Sequence, residues 1–467
     1  MKQLSVFSKQ AKALSTLAWP IVLSQVALVA LGLTDTIMMG VLGKEALAGG
    51  GLGVTITGLL LTLALGVLGA TSNLIAPCAH KTPDGTVKQY SYASLIVATG
   101  FGVLILLVLF WAKELISLAG QSEETTELAD QYLQGFFWGV LPGLWFQALR
   151  FTVMPLGHTR IVTIIAWFDV LLNIPINYLL ITGSFGFPNL GIKGIGVATS
   201  VVHITSFILL VAYILYHPKL AEQRHAFIGK LRLGFYCKET LRLGIPQGIT
   251  YLAEVGLFST AAFMMGLFGN DTLAAHQITL QTITVPFMVA MGIAQATGIK
   301  VGHELGHNNI QACRQYGWLG LGMGGCWMLL AALAFWLFPE VIVGFYLDKN
   351  NPENQQVFLI ASQLLIIAAY FEIFDGSQTI ASSALRGLKE AKRPMLLAIS
   401  SYWLVGLPVA LLLGFYWQWQ GAGVWWGLAA GLAAAAISLI WLFEKATRVS
   451  RSDSGELITN NRVENYV

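Results

Sequence analysis

A chain of 467 residues that is 55% hydrophobic and only 11% charged, with a mean hydropathy of +0.67, has too few charged groups to cover a water-soluble protein of its size. These values exclude a soluble enzyme and place the chain in a membrane. The formal net charge of +3 calls for no nucleic-acid partner, because the basic residues gather in loops on one side of the spans.

The apolar runs are about 20 residues long, the length of a spanning helix, where a spanning strand would need about ten residues of alternating pattern. In chain order they lie near residues 13–38, 46–76, 90–112, 130–152, 160–182, 192–216, 241–268, 272–300, 314–338, 356–383, 395–416 and 422–443. The expectation is an all-α integral membrane protein with twelve transmembrane helices. No cleavable leader pattern precedes the first span, which is read as part of the mature chain. Sorting the 27 Lys and Arg residues by these spans leaves four on the outer side, Lys44, Lys113, Lys193 and Lys349, and all the rest on the side of the N-terminus. By the positive-inside rule both termini are then cytoplasmic. A wrong helix count would invert every later loop, so the agreement along the chain supports twelve.

The first span carries LGLTDTIMMG at residues 31–40, where Asp35 is the only charge between Lys12 and Lys44. Pro20 precedes it by fifteen residues and removes a helical hydrogen bond, as Pro246 does in the seventh span; both are candidate hinges. A shift of 226 residues lays MMGVLGKEALA (38–48) on MMGLFGNDTLA (264–274) and Pro20 on Pro246, and a weaker echo sets Asn173-Ile174-Pro175 against Gly406-Leu407-Pro408. Both halves begin inside and hold six spans, so they are parallel repeats. The expected domains are 1–225, 226–445 and a polar cytoplasmic tail, 446–467. Two similar bundles around a shared cleft suit a transporter that works by alternating access.

Five carboxylates fall within the spans: Asp35, Asp169, Glu254, Glu372 and Asp375. No Lys or Arg is expected at their depth, and an ionised carboxylate in the bilayer must bind a proton, a metal ion or a cationic ligand. Asp169 and Glu372 have equally good structural readings, the first as a hydrogen-bonded wall residue and the second as a group facing a vestibule. Asn173 and Asn177, four apart in LLNIPINY, share a helix face and are candidate partners of Asp35, with Thr199 of the sixth span. Asp35 lies eight residues before Gly43, about 12 Å at the helical rise, in the outer half of the membrane. Its repeat counterpart is Ala261, and Glu254 falls opposite Leu28, so the two halves carry their acids at different depths. The cysteines, Cys78, Cys237, Cys313 and Cys326, show no metal-binding spacing and read as reduced structural residues. GGGLG (49–53) and GLGMGG (320–325) read as helix packing rather than nucleotide loops. His203 and His276 read as satisfied buried histidines.

Taken together, the proline helix ending in LGLTDTIMMG, the LLNIPINY and FGFPNLGIKGIGVATS stretches, LGIPQGITYLAEVGLF followed by LAAHQITL, and FDGSQTIASSALRGLKEAKRP resemble the multidrug and toxic compound extrusion (MATE) transporters, specifically the NorM-type branch. The likeness runs from the first span to the twelfth. It implies two six-helix lobes around a central cleft and export of cationic, lipophilic drugs in exchange for protons or sodium ions. It also implies a bacterial inner-membrane location, a monomer among membrane lipids, and no cofactor or structural metal. Carried over by motif, Asp35 is the N-lobe acid with Asn173, Asn177 and Thr199 around it, and Glu254 and Asp375 are the C-lobe acids that bind a cation, transiently Na+. One departure is Phe371, where the family pattern has a tyrosine one turn before Asp375. The rival readings are a flippase for lipid-linked or polyprenyl substrates, which calls for basic residues in the cleft, and, from another class, a membrane-embedded transferase.

Overall fold

The computed structural model describes residues 2–79, 85–225, 231–349, 351–448, 450–451 and 457–458. Within these the chain is helical, apart from a two-residue strand pair, Ser450–Arg451 with Leu457–Ile458. Eleven helices among the described residues are long and apolar enough to cross a membrane. The fourth expected span makes the twelfth and is built in two pieces, Glu123–Phe136 and Val140–Val153, joined by the 3-10 turn Phe137–Gly139. Pro142 explains the break, because it has no N–H to give to the preceding turn.

The repeat seen in the sequence is reproduced in the backbone. Gly43 separates the first helix, Lys2–Leu42, from the second, Lys44–Ile75, at φ 117°. Gly269 separates the seventh, Leu233–Leu267, from the eighth, Asn270–Gly306, at φ 111°. The hydrogen bonds repeat as well: Gly43 and Gly269 donate to the carbonyls of Gly40 and Gly266, each at 3.2 Å. Both glycines sit in a region that a side chain would strain, which is why this tight interhelical turn keeps glycine in both halves.

The chain divides into two compact units, Leu23–Ile249 and Met1–Val22 with Thr250–Val467. The divisions fall two residues after Pro20 and three after Pro246, inside helices that continue through both prolines. The opening part of the seventh helix therefore belongs with the second and third spans. Gly244 lies so close to Val67 that a Cβ there would stand 2.5 Å from the Val67 carbonyl oxygen. Tyr90 of the third span makes a short hydrogen bond to Glu239. In the other unit the opening part of the first helix packs on the eighth, with Gly292 against Val22.

Each unit has its own apolar core. That of Leu23–Ile249 is built on Val67, Leu68, Tyr132, Phe136 and Leu144. The core of the other unit is built on Met265, Phe371, Tyr402 and Trp425. In the eleventh span, π-helical turns at Ser401–Gly406 and Leu412–Tyr416 flank the α-helical turn that holds Pro408. Such turns are frequent at functional sites, and Tyr402 lies within the first of them.

Candidate functional site

Asp35 stands about two turns before the C-terminal end of the first helix and is 5% exposed. Its two oxygens take donors from two other spans. Oδ1 accepts from Asn177 Nδ2 at 2.9 Å, and Oδ2 accepts from Thr199 Oγ1 at 2.9 Å. Asn177 Nδ2 also donates to Asn173 Oδ1 at 2.9 Å, so the i, i+4 asparagines of the fifth helix, Thr159–Thr182, form one strip. Thr199 is delivered by the sixth helix, Ile192–Tyr216. That helix meets the fourth span at glycines: a Cβ on Gly196 would lie 2.2 Å from the Tyr132 carbonyl oxygen. The four residues grouped by sequence are therefore brought together, and among the described residues the hydrogen-bond partners of Asp35 are the neutral Asn177 and Thr199.

The asparagine pair is unfinished in one respect. Asn173 Nδ2 and Asn177 Oδ1, both fully buried, have no hydrogen-bond partner among the described residues. Turning both amides over would place Asn177 Oδ1 beside Asp35 and let Asn173 Nδ2 donate to it. In that orientation the site offers an acceptor to a protonated Asp35, and in the observed one it offers donors to an ionised Asp35. The pocket thus suits an acid that changes charge. Asp169, lower on the fifth helix, accepts from Ser206 Oγ at 2.6 Å and lies outside this group.

The second group lies in the other unit. Asp375 is 3% exposed and accepts from Gln378 Nε2 at 3.2 Å, while Gln378 Oε1 accepts from Tyr402 Oη at 2.9 Å. Glu254 interacts electrostatically with Asp375, so these two sequence-predicted acids do share one site. Here the expectation that no cation lies near the buried acids is corrected. Arg386 is 5% exposed, donates to Ser382 Oγ at 2.7 Å, lies over the Tyr251 ring and acts electrostatically on Glu254. Its place in the charged stretch ALRGLKEAKRP hides it among loop residues, but the tenth helix runs to Gly387 and carries it inward. Phe371 gives no oxygen and packs on Phe258 and Trp425. A phenol comes instead from Tyr402 in the eleventh span, which sequence reasoning missed, as it missed Gln378. Pro20 and Pro246 contribute no side-chain polar group to either site.

Among the histidines, His203 Nδ1 lies 3.2 Å from the Gly139 carbonyl, as a satisfied buried histidine should. His276 departs from that expectation: Nδ1 accepts from Trp425 Nε1 at 3.2 Å, but Nε2 has no partner. The four cysteines are free.

The MatE family model matches residues 20–179 and 246–412, two stretches that open on the repeat-related prolines. A probable multidrug resistance protein NorM of Pseudomonas syringae pv. tomato is 40% identical over 442 residues, covering 94% of this chain and 95% of that protein. One of Synechococcus sp. is 36% identical, covering 92% and 93%. The fold is similar to that of the eukaryotic MATE transporter AtDTX14, with a TM-score of 0.82, 18% identity and coverage of 95% and 98%. It is also similar to the Vibrio cholerae MATE transporter VcmN in the bent form, at 0.81, 19%, 95% and 98%. With both repeats matched and relatives alike over nearly their full length, the chain belongs to the MatE family.

Proposed function

We propose that the chain is a secondary active multidrug transporter that exports cationic or lipophilic drugs from the bacterial cytoplasm in exchange for protons, or sodium ions, by alternating access. The names of the relatives support drug export, their bacterial sources support an inner-membrane location, and the Lys and Arg distribution supports both termini inside. The single observation that carries the coupling is the Asp35 pocket: a buried carboxylate with no basic partner among the described residues, held by neutral groups able to serve either charge state. Asp35 is the titrating group, and Asn173, Asn177 and Thr199 hold it. Glu254 and Asp375 form a second cation-binding group in which Arg386 offsets part of the negative charge.

An ion that binds one conformation better than the other shifts the equilibrium by its differential affinity, and this drives the cycle. If proton and drug use the same carboxylate, mutual exclusion makes the exchange obligatory. Pro20 and Pro246 are the proposed bending points of the first and seventh helices.

The flippase reading draws support from the buried guanidinium of Arg150. That group is engaged by Gln25 Oε1 at 2.7 Å and Ser24 Oγ at 3.3 Å, neutral acceptors in place of a phosphate. The test is efflux from proteoliposomes, first under an imposed proton gradient and then under a sodium gradient. Asp35→Asn keeps the shape of the site and removes its charge, so it should abolish gradient-driven efflux while leaving thermal unfolding unchanged. Normal efflux by this variant refutes the assignment.

A further inference from the structure

Glu372 is 0% exposed, and neither carboxylate oxygen has a hydrogen-bond partner among the described residues. It differs in this from Asp35, which accepts two hydrogen bonds, and from Asp375, which accepts one. It lies about 25 Å along the tenth helix from Gln355, near its middle. Its helix neighbours Ala368, Ala369 and Phe371 are fully buried members of the apolar core. Asp375, one turn away, is in electrostatic contact with it; beyond it Glu254 interacts with Asp375, Arg386 acts on Glu254, the Tyr402 phenol feels Glu254 and Asp375, and His276 of the eighth helix is joined through Trp425 to Phe371, the residue before Glu372.

A sealed carboxylate without a donor or a cation is among the most costly groups a membrane protein can hold as an ion. Among the described residues Arg386 is the one cation this cluster is shown to feel, against three acids. A metal ion is a poor occupant, because the described residues form no group of three or more His, Cys, Asp or Glu able to hold one. A proton needs no further ligand. The seal carries a second consequence: a proton held there can leave only when another conformation admits water, which is the property a coupling site needs.

We propose that Glu372 is a further proton-carrying site, holding one proton as a carboxylic acid in the conformation seen here and releasing it in another. In the release step the O–H bond breaks, the proton passes to water and the electron pair stays on the carboxylate. The cluster then gains one negative charge that favours a cationic drug at Asp375 and Glu254. This rests on the antiport reading and adds a carrier to it in the unit that does not contain Asp35.

The experiment uses the full chain in proteoliposomes, with ethidium as the cationic probe and a pH-indicating dye to count protons released when ethidium binds. Glu372→Gln keeps the shape of the neutral acid and cannot release a proton. It should slow proton-driven ethidium transport by about tenfold or more and reduce the protons released per ethidium bound, whereas a group that only packs would tolerate the change. Wild-type transport and proton release in E372Q overturn the proposal. In parallel, dicyclohexylcarbodiimide, which reacts with protonated carboxyls in apolar surroundings, is applied to the wild-type protein and the adduct located by mass spectrometry. An adduct at Glu372 that fades at high pH is expected, and its absence overturns the proposal even where E372Q fails to fold. Wild-type protein that moves no ethidium under either gradient defeats the antiport reading instead, and the carbodiimide result stands apart from that outcome.

Discussion

Gly196→Ala adds one methyl group and no charge, yet it should disable the Asp35 site. The new Cβ would lie 2.2 Å from the Tyr132 carbonyl oxygen and 2.8 Å from the Phe136 nitrogen. Ordinary contact begins near 3.4 Å, so the fourth and sixth spans must separate by about 1 Å. The opposing atoms are backbone, and no side chain can swing aside. Overpacking of this kind costs about 1–3 kcal/mol, and backbone on both sides puts this position at the upper end. Thr199 rides on the same helix face three residues later. If it follows the shift, its 2.9 Å hydrogen bond to Asp35 stretches beyond useful range. Thr199→Val removes that bond without moving a helix. A hydrogen bond to a charged group contributes about 1.5–3 kcal/mol, or roughly a tenfold to hundredfold change in an equilibrium. Thermal unfolding in detergent and drug binding at fixed pH separate the two effects. G196A should lose both stability and binding, and T199V should change the apparent drug affinity by about tenfold or more, with a loss of stability no larger than that one hydrogen bond contributes. Wild-type unfolding in G196A, or wild-type affinity in T199V, would refute the reasoning.

Two further outcomes can be measured on the same preparations. Gly43→Ala and Gly269→Ala should each lower stability by about 1–3 kcal/mol and by similar amounts, because the two positions share one strained conformation; equal melting of either variant and the wild type would contradict the repeat equivalence. His158, just before the fifth helix, is held below its ordinary value by burial, and then by His217 and Lys219. The unfolded chain therefore takes up this proton first, and stability falls as the pH drops through the unfolded value of about 6.5 towards the folded one. His158→Gln should show a smaller loss of melting temperature between pH 7 and pH 5 than the wild type.

The spans and the repeat were legible in the sequence for plain reasons. A bilayer demands long apolar runs, and a φ above 100° demands glycine, so both leave marks that need no alignment. The Asp35 group was legible because an unpaired charge in an apolar run is conspicuous and because asparagines four apart must share a face. Gln378 and Tyr402 left no such mark. Neutral polar residues are common in spans, and Tyr402 takes its place through a π-helical turn that no periodicity announces. Arg386 was misplaced because hydropathy assigns a basic residue near a charged loop to that loop, while the tenth helix continues past it. Phe137–Gly139 was read as part of one continuous helix because the expected length was right and only Pro142 hinted at the break.

The exchange of opening segments between the first and seventh helices bears on how the chain is made. Residues 1–22 leave the ribosome before the second to sixth helices, yet they belong with a unit whose other members begin at Thr250. More than two hundred residues must be synthesised before that segment meets the eighth helix, so insertion and assembly are separate events for it. Cutting the gene after residue 225 would leave each product without part of its own unit. The two fragments should recover a native state only when made together.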